Sequence, residues 1–115
     1  MIIDFSKSRI FIRPGITDLR KAVNGLSLIA QEGIKQDPLN GNIFLFCNRE
    51  RKLLKVLYWD KTGFWLCQKR LEKEKFPWPQ DEEEAREITV EELQMLLAGI
   101  NFFKAHKEIH YRKVS

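Results

Sequence analysis

Between Asn42 and Leu71 the chain alternates apolar runs with turn-forming clusters, and that rhythm predicts three antiparallel strands. Asn42 to Cys47, NIFLFC, is almost continuously apolar, the pattern of a central strand covered on both faces. Asn48-Arg49-Glu50-Arg51-Lys52 is a basic loop of hairpin length. Leu53 to Asp60 and Phe64 to Leu71 are rich in aromatic, β-branched and alternating residues, as strands are. Asp60-Lys61-Thr62-Gly63 joins them, and Gly63 is expected to take the positive φ of a bulged hairpin loop.

Upstream, Ser8 to Pro14 places Arg9, Phe11 and Arg13 on one side and Ile10 and Ile12 on the other. That is a short strand, expected near a sheet edge because Pro14 ends it without a donor. Pro14-Gly15 is a turn. Thr17 is then expected to cap a helix, with Asp18 in its first turn and Leu19, Val23, Leu26 and Ala30 as its buried stripe. Gly25 inside that helix suggests a close backbone approach or a bend. Asp37-Pro38 and Asn40-Gly41 mark the connection to the meander.

Downstream, Gln80 to Glu84 is a like-charge run expected to be solvated and mobile. Thr89 and Glu92 have capping-box spacing; Val90, Leu93, Leu96 and Leu97 form an apolar face, and Gly99 suits the left-handed position beyond a helix end. There are no internal repeats. The expected fold is α+β: an N-terminal strand and helix, a three-stranded antiparallel β-meander, and a C-terminal helix with a basic tail. One domain is expected over 1–101, with 80–87 as an acidic mobile segment within it and 102–115 as the tail.

Composition narrows the class. The chain has 115 residues, 43% hydrophobic and 31% charged, which suits one globular domain. No run reaches the roughly 18–20 apolar residues of a membrane helix, and the N-terminus lacks the pattern of a signal peptide. A cytoplasmic protein with no membrane partner is expected. Cys47 and Cys67 are too few for a zinc site. With a whole strand between them they lie beyond disulfide reach, so both are expected to be reduced core thiols.

Catalytic chemistry finds little support in the residues. No Ser or Cys nucleophile has a motif around it, and there is no glycine-rich phosphate loop. His106 and His110 are four residues apart with only Glu108 nearby, and Asp4, Asp18, Asp37 and Asp60 have no spacing that would build a two-metal site. No catalytic residue, metal, cofactor or small-molecule ligand is expected, and the chain reads as no enzyme.

Charge points elsewhere. Residues 1–80 hold 15 Lys/Arg against 8 Asp/Glu, residues 81–101 one against seven, and the tail from Phe102 four against one. A basic body of this kind suits nucleic acid. The candidate contacts are Arg9, Arg13, Arg20, Lys21, Arg49, Arg51, Lys52, Lys69 and Arg70, with Trp59, Trp65 and Trp78 as possible stacking platforms for unpaired bases. The competing reading makes the tryptophans core and the cations mere solubilisers. Phe76-Pro77-Trp78-Pro79 is a proline-stiffened aromatic strip. It either caps its own core or offers Phe76 and Trp78 to a protein partner.

A set of residues carries a family resemblance. It comprises Thr17-Asp18-Leu19-Arg20-Lys21, Asn24-Gly25-Leu26, Asp37-Pro38 with Gly41, Phe44-Leu45-Phe46, Trp59-Asp60, Gly63-Phe64, Lys69-Arg70-Leu71-Glu72, Phe76-Pro77-Trp78-Pro79 and Leu96-Leu97-Ala98-Gly99-Ile100. Over Ser8 to Asn101 this ordered set resembles the TnpB-type accessory proteins encoded by the second open reading frame of the bacterial insertion-sequence sixty-six family. The resemblance implies a small protein of a mobile element that is needed for transposition, the strand-cleaving transposase being a separate chain. It carries no catalytic residue over. Ala22, Asn24, Lys61-Thr62 and Ala98 depart from the family's usual Gly, Asp, Gly-containing turn and acidic residue. Taken together with the basic body read from the charges, the favoured role is that of a non-catalytic accessory factor binding DNA through a basic face. The alternative is an adaptor that binds the transposase, or another element protein, through the aromatic-proline strip.

Overall fold

The computed structural model describes residues 7–80 and 86–100. The acidic run 81–84 and the tail 102–115, with His106, Glu108 and His110, lie outside the described residues, as does Asp4. Seven elements follow in chain order: β1 (Ile10–Ile12), α1 (Val23–Glu32), β2 (Ile43–Cys47), β3 (Leu53–Trp59), β4 (Phe64–Arg70), β5 (Arg86–Ile88) and α2 (Val90–Leu97). The strands form one mixed sheet in the order β4-β3-β2-β1-β5. β2, β3 and β4 pair antiparallel in sequence, β1 runs parallel to β2, and β5 closes the other side antiparallel to β1. The fold is α+β, and the antiparallel hairpins are part of a larger sheet rather than the whole of it.

Alternation along the strands gives this sheet two cores. Ile43, Leu45 and Cys47 of β2 face one side with Ile10, Ile12, Leu54 and Ile88, where α2 covers them through Leu93 and Leu96. Phe44 and Phe46 face the other with Phe11 and Leu57, beneath Leu26 and Ala30 of α1. All five β2 residues are buried, as its unbroken apolar run demands of a strand covered twice.

Several expectations fail for local reasons. β1 is internal but lies one strand in from the edge strand β5, so it is near an edge for another reason than the proline: only Ile10 to Ile12 pair, and Pro14 lies past the ladder, where its missing donor costs no pairing. Arg86–Ile88 is a strand, which takes Arg86 and Glu87 out of the segment read as mobile. Helix α1 starts five residues late. Thr17 is buried, its N–H bonded to the Cys47 carbonyl at 2.9 Å and its hydroxyl accepting from Arg13 Nη1 at 3.0 Å. The cap position falls to Ala22, which has no side-chain cap. In the β3–β4 turn the left-handed residue is Lys61, with φ 85°, while Gly63 keeps an ordinary φ. Asp60 stabilises that turn by accepting from the Thr62 N–H and hydroxyl. Cys47 is buried, whereas Cys67 is only half-buried and no core residue; neither forms a disulfide.

Helix α2 matches its sequence. Thr89 and Glu92 exchange side-chain-to-backbone hydrogen bonds at 3.0 and 3.1 Å. At the other end Gly99 has φ +78°, and the N–H groups of Gly99 and Ile100 bond back to Leu96 and Met95 at 3.0 and 2.9 Å. That pair of bonds is the Schellman arrangement.

The aromatic-proline strip folds back on its own sheet. Phe76 is fully buried and Trp78 is 5% exposed, both in the α2-side core. Trp78 Nε1 donates to the Arg13 carbonyl at 2.9 Å, and the Phe76 N–H to the Arg51 carbonyl at 2.6 Å. Phe76 and Trp78 are therefore not an exposed docking strip. Phe76 and Trp78 each precede a proline, which favours extended backbone, and about 25 cal/mol per Å² of apolar area favours the strip's burial. Phe76→Ala is expected to cost about 3–5 kcal/mol in urea unfolding, the range for a buried aromatic. A loss below about 1 kcal/mol would mean that the strip is not core.

Candidate nucleic-acid interface

Basic residues adjacent in sequence are dealt to different places by the pleat. Arg70 lies opposite Leu53 and Lys69 opposite Leu54, so the two side chains take opposite faces of β4. Lys69 is on the α2 side, where its ammonium donates to the Leu97 carbonyl at 2.7 Å, a cation at the negative end of that helix. Arg51 and Lys52 form the β2–β3 turn, Arg51 with φ 59°, and their carbonyls receive the Phe76 and Leu71 N–H groups. Arg49, Arg51, Lys69 and Arg70 therefore do not share a single face.

On the α1 side a groove of about 610 Å³ opens between the 16–20 connector and the sheet. Arg20, Arg49 and Lys55 line it, together with Thr17, Asn48 and Gln68 and the carboxylates of Asp18 and Glu50. Arg70 shares this sheet face, opposite the groove residue Leu53 and two residues beyond Gln68. Lys55 donates to the Leu19 carbonyl at 2.6 Å and so ties the connector to β3. Thr17 anchors the same connector to the end of β2 from below.

The carboxylates are engaged from within the groove. Asp18 accepts from Arg20 Nη2 at 2.8 Å and from the Arg20 N–H at 3.0 Å. These bonds, with the positive charges of Arg20 and Lys21, hold its carboxyl down to about 2. Glu50 accepts from Asn48 Nδ2 at 3.1 Å. Arg20 keeps 91% of its side chain exposed, so it can contact an incoming anion while holding Asp18.

The remaining cations stand apart from the groove lining. Arg9 sits over the Phe11 ring, 4.9 Å from its centroid, and pairs with Glu87 on β5 at 2.7 Å. This contact lowers the Glu87 pKa through the hydrogen bond first and the charge second. Arg13 donates to the Ile16 carbonyl and to Thr17, as a brace for the connector. Lys21 is exposed just before α1, where its Cβ lies 3.0 Å from the position a Cβ on Gly25 would take. The close neighbour at Gly25 is therefore a side chain and not the backbone that the sequence suggested.

Of the tryptophans, Trp59 packs edge-on against Phe64, Trp78 is core, and Trp65 is 45% exposed on β4. Asp18, Asp37 and Asp60 serve three separate local turns: Asp37 accepts from the Leu39 N–H, and Asp60 from Thr62 and Trp65. Among the described residues no three His, Cys, Asp or Glu side chains gather as metal ligands, and no helix is long and apolar enough to cross a membrane.

With this geometry in view, comparison with known proteins decides the family. Residues 8–107 match the family described as IS66 Orf2 like protein. The chain belongs to that family. Two proteins of Sinorhizobium fredii (strain NBRC 101917 / NGR234), both described as uncharacterized, are similar to it. Protein y4hO is 42% identical over 94 residues, covering 82% of each chain. Protein y4jC is 31% identical over 100 residues, covering 87% of this chain and 86% of its own. No solved structure matches the chain.

Sequence reading missed Lys55, Asn48 and Gln68 as groove residues. Lys55 has a signal: it interrupts the α1-side register Leu53, Leu57, Trp59 of β3, where a charge needs a partner. In a proton titration followed by NMR, the Asp18 carboxyl is expected to titrate near 2. Arg20→Gln should return it towards 3.8, the ordinary value. Because the folded value is the lower one, this pairing adds stability above the ordinary carboxylate range and loses it as pH falls through 2. An ordinary Asp18 titration in the unsubstituted protein would remove the pairing from the account.

Proposed function

We propose that the protein acts as a non-catalytic accessory factor in transposition of a bacterial insertion sequence, and that it binds the DNA backbone through the α1-side groove. Membership of the IS66 Orf2 like family supports the transposition role. The convergence of Arg20, Arg49 and Lys55 on one open groove, with Arg70 on the same sheet face, is the observation that carries the DNA reading. These donors suit phosphate oxygens and carry no base-specific pattern, so the contact positions DNA rather than reading it. The adaptor alternative loses its proposed surface, because Phe76 and Trp78 are buried.

Duplex and single-stranded DNA, from element ends and unrelated sequence, should be titrated across a salt series. Two or three phosphate contacts predict a slope of log K against log salt between about −2 and −3 on duplex. Arg49→Ala is expected to weaken binding on every sequence and to reduce that slope by about 1. Asp18→Asn should tighten binding, since it removes a carboxylate from the groove and releases Arg20. No binding at low salt, or binding indifferent to Arg49 and Asp18, would overturn the assignment.

A further inference from the structure

β4 is the outermost strand of the sheet on its side among the described residues, and it is seven residues long. Hydrogen-bond phase shows which of its backbone groups look outward. The Asp60 N–H bonds the Gly63 carbonyl, and the Leu71 N–H bonds the Lys52 carbonyl. Alternation between these two fixed points makes Tyr58 with Trp65, Val56 with Cys67 and Leu54 with Lys69 the pairs that exchange bonds with β3. The N–H and C=O groups of Phe64, Leu66, Gln68 and Arg70 consequently point away from the sheet.

The side chains of this edge are ordered along it. Phe64 and Trp65 stand at one end and Lys69 and Arg70 at the other, with Cys67 at the centre. An antiparallel second copy centred on Cys67 sets Trp65 opposite the partner's Lys69 and Phe64 opposite the partner's Arg70. Each cation then meets an aromatic ring, and no like charges face one another. In the same register Leu66 and Gln68 of the two copies form hydrogen-bonded pairs through their outward groups, so phase and side-chain order agree. One strand supplies both halves of a self-complementary, two-fold interface. We infer that the protein pairs with a second copy of itself through β4, in antiparallel register about Cys67, to form a continuous ten-stranded sheet. The occupant is a like chain because the edge carries its own complement. This pairing does not depend on the groove's ligand.

The register is directly readable. Cys67 faces its counterpart as a non-hydrogen-bonded pair, with Cα atoms about 4.5 Å apart, within disulfide reach. Cys47 is buried and its thiol is pushed up to about 12, so it does not compete. Treating the full chain with diamide should form one S–S bond per dimer, two electrons and two protons passing to diamide to give the hydrazine. Non-reducing electrophoresis should show a covalent dimer that Cys67→Ser abolishes and Cys47→Ser retains.

Sedimentation of the untreated chain across a concentration series should give a dimer that persists in Cys67→Ser. Gln68→Pro removes two symmetry-related outward N–H donors from the dimer and none from the β3 ladder. It should leave the circular dichroism and unfolding midpoint of the monomer close to the parent while raising the dimer dissociation constant by about tenfold or more. A monomer at every concentration overturns the inference. So does a dimer indifferent to a folded Gln68→Pro, which would place the contact elsewhere. A monomer whose Leu66 and Gln68 amides resist hydrogen exchange would overturn it as well, by giving the edge to another segment of the same chain.

Discussion

β1 pairs over three residues, yet it carries ladders on both sides, parallel to β2 and antiparallel to β5. Its alternation is what gives the sheet two usable faces at that point: Ile10 and Ile12 enter the α2-side core, and Phe11 the α1-side core. Arg13 continues the same service beyond the ladder. Its N–H bonds the Leu45 carbonyl, its carbonyl takes the Trp78 indole, and its guanidinium donates to the Ile16 carbonyl and the Thr17 hydroxyl in the groove lining. A residue counted from sequence as a nucleic-acid contact thus joins the core strip to the connector that lines the site. Removing β1 would leave β5 without a partner strand and take Ile10 and Ile12 out of the core that α2 and the aromatic strip cover.

What was legible in the chain follows the range of the forces involved. β2, β3 and β4 are joined by short turns and patterned by burial, so period and turn residues place them. Helix α2 is equally local, since its capping box and its left-handed Gly99 are written between Thr89 and Gly99. β5 is three residues, Arg-Glu-Ile, with no periodicity to read, and only pairing with residues 10–12, far back in the chain, makes it a strand. Thr17 misled because an N-cap and a buried anchor ask for the same hydroxyl. Which role it takes depends on where the end of β2 lies, and that is not local information.

The groove was half legible for a similar reason. Charge totals identify a basic body, but the pleat decides which cations meet. It separates Lys69 from Arg70 and brings Lys55 towards Arg49 and Arg20. The chemistry of the family resemblance survives this sorting unevenly. Thr17, Asp18 and Arg20 converge on the groove, while Phe76 and Trp78 are consumed by the core.

Sheet order also has a consequence for synthesis on the ribosome. Among the described residues the first strand made sits between β2 and the last, so β1 emerges long before its second neighbour exists. The α1-side core, drawn from residues 11 to 66, can close while the chain is still growing. The α2-side core needs residues up to Leu96 and waits for them. Until β5 arrives, β1 is an uncovered edge with isoleucines beside it, the kind of surface on which incomplete chains aggregate. A nascent chain of this protein is therefore a half-lined sheet, and the described residues 86–100 decide whether it becomes a finished one.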